Sequence, residues 1–260
     1  MSTRVRAALV LLAYLLLAGC SRGEEERATL RVFAASSLTD AFEELAQAFE
    51  KANPDTTVSL VFAGSQVLRL QIEQGAPASV FASANTEHVR ALARTGRAQG
   101  AQVFAHNELV VIVPRDNPAG IHRFEELPRA RRLVIGTETV PVGRYTRRLF
   151  ERAAAHFGAE FESAVWSSVV SHENNVRLIR TKVALGQADA AVVYRSDALG
   201  LETVKMIEIP ENLALRSAYV QAIVGADATN KRAAAWLDFV NSSAGQVVLV
   251  QHGFYPVGAP

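Results

Sequence analysis

The chain has 260 residues, 49% of them apolar, and a formal net charge of +1. That length and apolar fraction allow a large buried core in one or two domains. The charge argues against a nucleic-acid partner, because the 23 arginines and four lysines are dispersed, in short groups such as Arg129, Arg131 and Arg132 that read as solvated faces; a single cysteine excludes any internal disulfide.

Arg4 and Arg6 precede an apolar run, Ala7 to Ala18, that is too short for an ordinary membrane span and has the form of an export-signal h-region. It closes in Leu17-Ala18-Gly19-Cys20, which resembles a bacterial lipobox. The resemblance implies a lipoprotein signal peptide over residues 1–19, cleavage before Cys20, and lipid on that residue; a plain signal peptide with an incidental cysteine is the alternative. Losing two positive charges from +1 leaves a mature chain at −1. Residues 20–28 then comprise the lipidated cysteine and a polar, flexible tether containing Glu24, Glu25 and Glu26.

From Leu30 onward, short apolar runs alternate with amphipathic stretches, the pattern of an α/β fold with largely parallel sheets. A strand, Leu30 to Ala35, breaks at Ser36-Ser37 into a helix from about Leu38 to Ala52, with Leu38, Phe42, Leu45 and Phe49 on one face. A second strand, Val58 to Phe62, runs through Ala63-Gly64-Ser65 into a helix ending near Gly75, so the opening arrangement repeats. A third strand, Val80 to Ala82, precedes a helix over Thr86 to Thr95. Leu109 to Val113 is a β-branched strand stopped by Pro114; Asp116 to Gly120 is a loop, Phe124 to Leu127 a helical turn, and Leu133 to Gly136 another strand. Pro141 stands as a first-turn proline before a helix over Arg144 to Phe157. Val169 and Val170 form a short strand, Val176 to Leu185 a helix, Ala190 to Tyr194 a buried strand and Tyr219 to Val224 a last strand; helices over about Asn230 to Val240 and Ala244 to His252 close the chain.

Ligands of open α/β sheets sit beyond the carboxyl ends of strands. Four strand-to-helix junctions carry small or polar residues there: Ser36-Ser37, Gly64-Ser65, Pro141-Val142-Gly143 and Asn174-Asn175-Val176. Two lie in each half of the chain, which suggests two lobes facing one cleft. A helix start presents unpaired N–H groups and partial positive charge, so such junctions suit an anion. Each serine also has a plainer reading. Ser37 with Asp40 resembles a capping box, and Tyr194 at a strand end reads equally well as a core aromatic.

Enzyme signatures are weak or absent. The six histidines show no metal-ligand spacing and read as residues of helix surfaces and loops, and there is no nucleophile elbow, phosphate loop or dinucleotide fingerprint. The pairs Glu43-Glu44 and Glu125-Glu126 read as solvated.

Seven segments in order, F-A-A-S-S-L-T-D-A-F (Phe33 to Phe42), F-A-G-S-Q (Phe62 to Gln66), Q-I-E-Q-G-A-P-A (Gln71 to Ala78), F-A-S-A (Phe81 to Ala84), V-P-V-G-R-Y (Val140 to Tyr145), N-V-R (Asn175 to Arg177) and V-V-Y-R-S-D-A (Val192 to Ala198), closely resemble the molybdate-binding proteins of molybdate ABC importers. The resemblance implies a type II periplasmic-binding-protein fold: two α/β lobes joined by two crossing strands, with a ligand cleft between them. One lobe would be residues 29–109 plus 221–260 and the other 110–220. It implies a molybdate or tungstate oxyanion, bound through its oxygens without direct protein–metal bonds, by Ser37 and Ser65 through hydroxyl and backbone N–H, Val142 and Val176 through backbone N–H, and Tyr194 through its phenol. It further implies no cofactor and no catalysis, a monomer, delivery to an ABC permease with a separate ATPase subunit, and a place on the extracytoplasmic face of a bacterial membrane, held by lipid at Cys20. Two positions depart from the family pattern, Ser79 in place of an acidic residue and Val142 where a smaller one is common, and neither removes a donor. A binding protein for another oxyanion or small organic anion, a sensor domain of the same fold, and a hydrolase using Ser37 or Ser65 are the rival readings; the last would need a histidine within reach.

Overall fold

A computed structural model describes residues 28–225 and 231–258. The expected signal peptide (1–19), Cys20 and the tether up to residue 27 lie outside the described residues. In chain order the elements are β1 (Ala28–Ala35), α1 (Thr39–Ala52), β2 (Thr56–Ala63), α2 (Ser65–Glu73), β3 (Val80–Ser83), α3 (Thr86–Arg94), β4 (Ala98–Pro114), β5 (Leu133–Gly136), α4 (Pro141–Phe157), α5 (Ala159–Ser167), β6 (Val169–Glu173), α6 (Val176–Ala184), β7 (Ala190–Tyr194), α7 (Arg195–Ala198), β8 (Val204–Ile207), β9 (Arg216–Val224), α8 (Lys231–Asn241) and α9 (Ser243–Gln251). Tight 3-10 turns occupy Ser36–Leu38 and Phe124–Arg129.

The strands follow one another in the order β2-β1-β3-β9-β4-β7-β5-β6, with β8 also on β4. β1 runs parallel to β2 and β3. β4 serves both ends of this array. Its first part pairs antiparallel with β9, from Ala98 opposite Val224 to Glu108 opposite Arg216, and its second part pairs antiparallel with β7, starting at Leu109 opposite Tyr194. β9 in turn pairs antiparallel with β3, and β5 lies parallel to β6 and β7. The sheet is therefore mixed, and the expectation of largely parallel strands holds only within each group of strand–helix units. The long antiparallel strands are what bring the two groups edge to edge.

Burial explains the helices. α1 buries Ala41, Phe42, Leu45, Ala46 and Phe49 on one face, and Phe42 and Phe49 meet the fully buried Trp236 of α8 edge-on at 5.6 and 5.3 Å. Each such aromatic gives roughly 1.5–3 kcal/mol on burial, which fixes the closing helices against the first strand–helix unit.

Three sequence expectations change. β4 begins at Ala98, well before Leu109, because register breaks at Gln99/Gln102 and Val103/Ala105 erase the period-2 pattern that identifies a strand. α5 was not expected; it follows Gly158, whose φ of 94° ends α4, and it buries only Phe161 and Val165, an i, i+4 pair too sparse to show as a helical stripe. His88 is buried rather than on a surface, on the inner side of α3.

Candidate functional site

The four junctions meet at one small cavity of ≈ 10 Å³. Its walls come from Ala35, Ser36, Ser37, Gly64, Ser65 and Ala84 on one side and from Val140, Pro141, Val142, Asn175, Val176 and Tyr194 on the other. None of these residues carries a formal charge.

Ser37 lies in the 3-10 turn that leads into α1, and it is buried. Its side chain does not cap the helix: the start of α1 has no side-chain cap, and Ser37 Oγ lies 2.7 Å from Tyr219 Oη on β9. The capping-box expectation is thus corrected, because a buried phenol competes for the hydroxyl. Burial, with Asp197 nearby, pushes the Tyr219 phenol well above its ordinary range, so it remains protonated. Either hydroxyl can donate in this pair; where Tyr219 does, Ser37 keeps its own proton for the cavity. Ser65 opens α2 after Gly64, and its Oγ accepts from the Ala84 N–H at 3.2 Å, which again leaves the hydroxyl proton free to be donated.

On the other wall, Pro141 occupies the first turn of α4 and has no N–H, so the first free donor of that helix belongs to Val142. Gly143 makes the approach possible, since a Cβ there would stand 2.1 Å from the Thr137 carbonyl oxygen. Val176 is the first residue of α6, whose N-cap Asn175 accepts from Leu178 N–H at 3.0 Å. Tyr194 ends β7 fully buried; its Oη makes no hydrogen bond of good geometry, and the Ser217 hydroxyl is its one polar side-chain neighbour of note. Burial, reinforced by Tyr219 and Tyr145, raises this phenol well above its usual range, so it too is a donor.

The walls touch across the cavity. Gln66 Nε2 donates to the Asn174 carbonyl at 2.7 Å, Arg177 Nε donates to the Ser36 carbonyl at 3.1 Å, and Arg144 pairs with Glu87. A Cβ on Gly64 would fall 2.4 Å from that same Asn174 oxygen. The structure is thus a closed cleft. Ser37, Ser65, Val142, Val176 and Tyr194, the five residues singled out in the sequence, all line it. Tyr219, Gln66 and the reach of Arg177 were not anticipated. Tyr219 opens an ordinary apolar strand run, and nothing in the linear sequence distinguishes it from a core aromatic.

The arrangement offers hydroxyl, phenol and backbone N–H donors at helix starts, without an acidic acceptor or a general base in the lining. Such a site can hold a small, fully deprotonated anion.

The model of the bacterial extracellular solute-binding protein family matches residues 30–255. The molybdate-binding protein ModA of Mycobacterium tuberculosis is 35% identical over 226 residues, covering 86% of this chain and 83% of that protein. Among solved structures, the periplasmic molybdate-binding protein of Azotobacter vinelandii superposes with a TM-score of 0.75 at 20% identity, over 86% of this chain and 98% of that one. The sulfate-binding protein SubI of Mycobacterium tuberculosis superposes with a TM-score of 0.78 at 16% identity, over 89% and 88%. These two share the fold of paired α/β lobes around a cleft. The chain belongs to the bacterial extracellular solute-binding proteins, in the family that includes the molybdate-binding protein ModA.

Proposed function

We propose that this chain captures molybdate in the cavity between its lobes and presents it to an ABC importer. The observation that carries the reading is Tyr194 Oη, a buried phenol without a well-formed hydrogen bond, at a charge-free cavity where four helix starts converge. An unpaired buried hydroxyl costs about 1–3 kcal/mol; an anion oxygen would remove that cost while the surrounding N–H groups share the charge. Molybdate is preferred to smaller anions of the same fold's repertoire because relatives with 35% identity over most of the chain are molybdate-binding proteins, whereas the sulfate-binding neighbour shares the fold at 16% identity.

In this reading Ser37, Ser65, Val142, Val176 and Tyr194 donate to the oxyanion, and tungstate, nearly equal in size, binds as well. The lobes are 29–109 plus 221–260 and 110–220; the change of partners along β4 after Glu108 supports the first of these boundaries. The protein is a monomer that catalyses nothing. It is held at the extracytoplasmic face by lipid on Cys20, and it hands its cargo to a permease driven by a separate ATPase. No helix among the described residues is long and apolar enough to cross a membrane.

Calorimetry with molybdate, tungstate, sulfate and phosphate tests the reading. Tight, similar binding of molybdate and tungstate is expected, with weak or absent binding of the other two; sulfate binding as tightly as molybdate would overturn the assignment.

A further inference from the structure

Arg177 is the second residue of α6, next to Val176 at the cavity wall. Its guanidinium crosses to the other wall. Nε donates to the carbonyl of Ser36, the neighbour of Ser37, and Nη2 pairs with the Asp40 carboxylate on α1. One side chain therefore joins the start of α6 to the Ser36–Leu38 turn, two of the four surfaces that surround the cavity.

The same Nε lies 3.8 Å from Oδ1 of Asp197, a distance at which charges attract but no hydrogen bond forms. Asp197 sits on α7, on the same side of the cleft as Arg177. It is 1% exposed, and no side chain donates a hydrogen bond to its carboxylate, whose one polar neighbour besides the arginines is the main-chain N–H of Tyr194. The other nearby cation, Arg180, donates to the Asp197 main-chain carbonyl at 3.3 Å and reaches the carboxylate only through its charge. A buried carboxylate with no side-chain donor is costly, and the cation best placed to relieve it is occupied across the cleft.

We propose that Arg177 is a two-position latch: it holds Ser36 and Asp40 when the cleft is closed and turns to Asp197 when the cleft opens, so that the two carboxylates compete for one guanidinium and set the rate of anion release. This role rests on the reading of the cavity as the molybdate site. Opening carries Ser36 and Asp40 away with their lobe, whereas Asp197 stays beside α6. The 3.8 Å gap to Asp197 is about 1 Å longer than a charge-assisted hydrogen bond. Asp40 thereby favours the closed form and Asp197 the open one. Both act through Arg177, which touches no anion itself and is a positioning residue.

The test compares Asp40→Asn, Asp197→Asn and Arg177→Met in the full chain at about pH 8, where Asp197 is ionised. Molybdate release is followed by stopped flow, and the ligand-free proteins are compared by small-angle X-ray scattering. Arg177→Met is expected to speed release roughly tenfold and Asp40→Asn about threefold, with association changed by less than about twofold. Asp197→Asn is expected to slow release by about threefold, and its ligand-free form to be more compact than that of Asp40→Asn. An Asp197→Asn protein that releases molybdate faster, as Asp40→Asn does, overturns the latch, as does an Arg177→Met protein with unchanged release. The two Asn variants are near-isosteric, so the opposite signs are readable even if Arg177→Met folds poorly. Failure of the unaltered protein to bind molybdate would instead overturn the assigned ligand, and the scattering comparison would still decide the latch.

Discussion

At the scale of single residues, the site works by leaving protons free. Ser65 Oγ accepts from Ala84 N–H, which leaves its hydroxyl hydrogen available, and Ser37 Oγ is held by Tyr219, which leaves the serine hydrogen available where the phenol donates. Replacing Ser37 or Ser65 by Ala removes one hydrogen bond to a charged ligand and is expected to weaken molybdate binding by about 1.5–3 kcal/mol each. Tyr219→Phe removes no ligand donor and only frees Ser37 to rotate, so calorimetry is expected to show a smaller loss of about 1 kcal/mol. A Tyr219→Phe loss as large as that of Ser37→Ala would mean that the phenol, not the serine, meets the anion. Ser37 and Ser65 were legible because each stands at a strand-to-helix break of small residues. Their partner Tyr219 was not, since the contact spans 182 positions of sequence.

At the scale of elements, Gly64 shows how backbone shape is tied to closure. Its φ of −62° and ψ of 139° suit any residue, so nothing in its own conformation demands glycine. The demand comes from the opposite wall, where the Asn174 carbonyl lies 2.4 Å from the position of an added Cβ. Gly64→Ala is therefore expected to leave the melting temperature within a few degrees while weakening molybdate binding by about 1–3 kcal/mol, because the methyl group meets backbone only in the closed cleft. A large fall in melting temperature with unchanged affinity would show that the clash belongs to the fold rather than to closure. The same distinction separates what the sequence shows of the helices and strands. α1 and the first three strands were legible from periodicity, whereas the first half of β4 was hidden by its irregular register and α5 by its thin apolar stripe.

At the scale of the whole molecule, two buried groups oppose each other in the pH dependence of stability. Burial, with Arg69 and Arg144 adding to it, lowers the His88 pKa from 6.5 to about 4. The unfolded chain then binds more protons between those values, so this contribution to stability grows as pH rises through the window and is lost as pH falls through it. Burial raises the Asp197 pKa from 3.8 to about 7, with Arg177 and Arg180 opposing the rise. Here the folded chain binds more protons, so the contribution is complete below the unfolded value and is lost as pH rises towards the folded one. The windows overlap, and the melting temperature is expected to be nearly level between about pH 4.5 and 6.5. His88→Gln is expected to give a melting temperature that falls with pH across this range, and Asp197→Asn one that rises; parallel curves for all three proteins would mean that neither group titrates as described. By itself the sequence determined the α/β order, the four helix starts suited to an anion and, through seven short motifs, the family, because strands, turns and helix starts are governed by residues adjacent in the chain. Only the tertiary structure decided that β4 and β9 bring those starts to one cavity, that Tyr219 backs Ser37, and that Arg177 stands between Asp40 and Asp197. Those relations join residues far apart in the chain, and they depend on burial and distance, which no local pattern of residue types encodes.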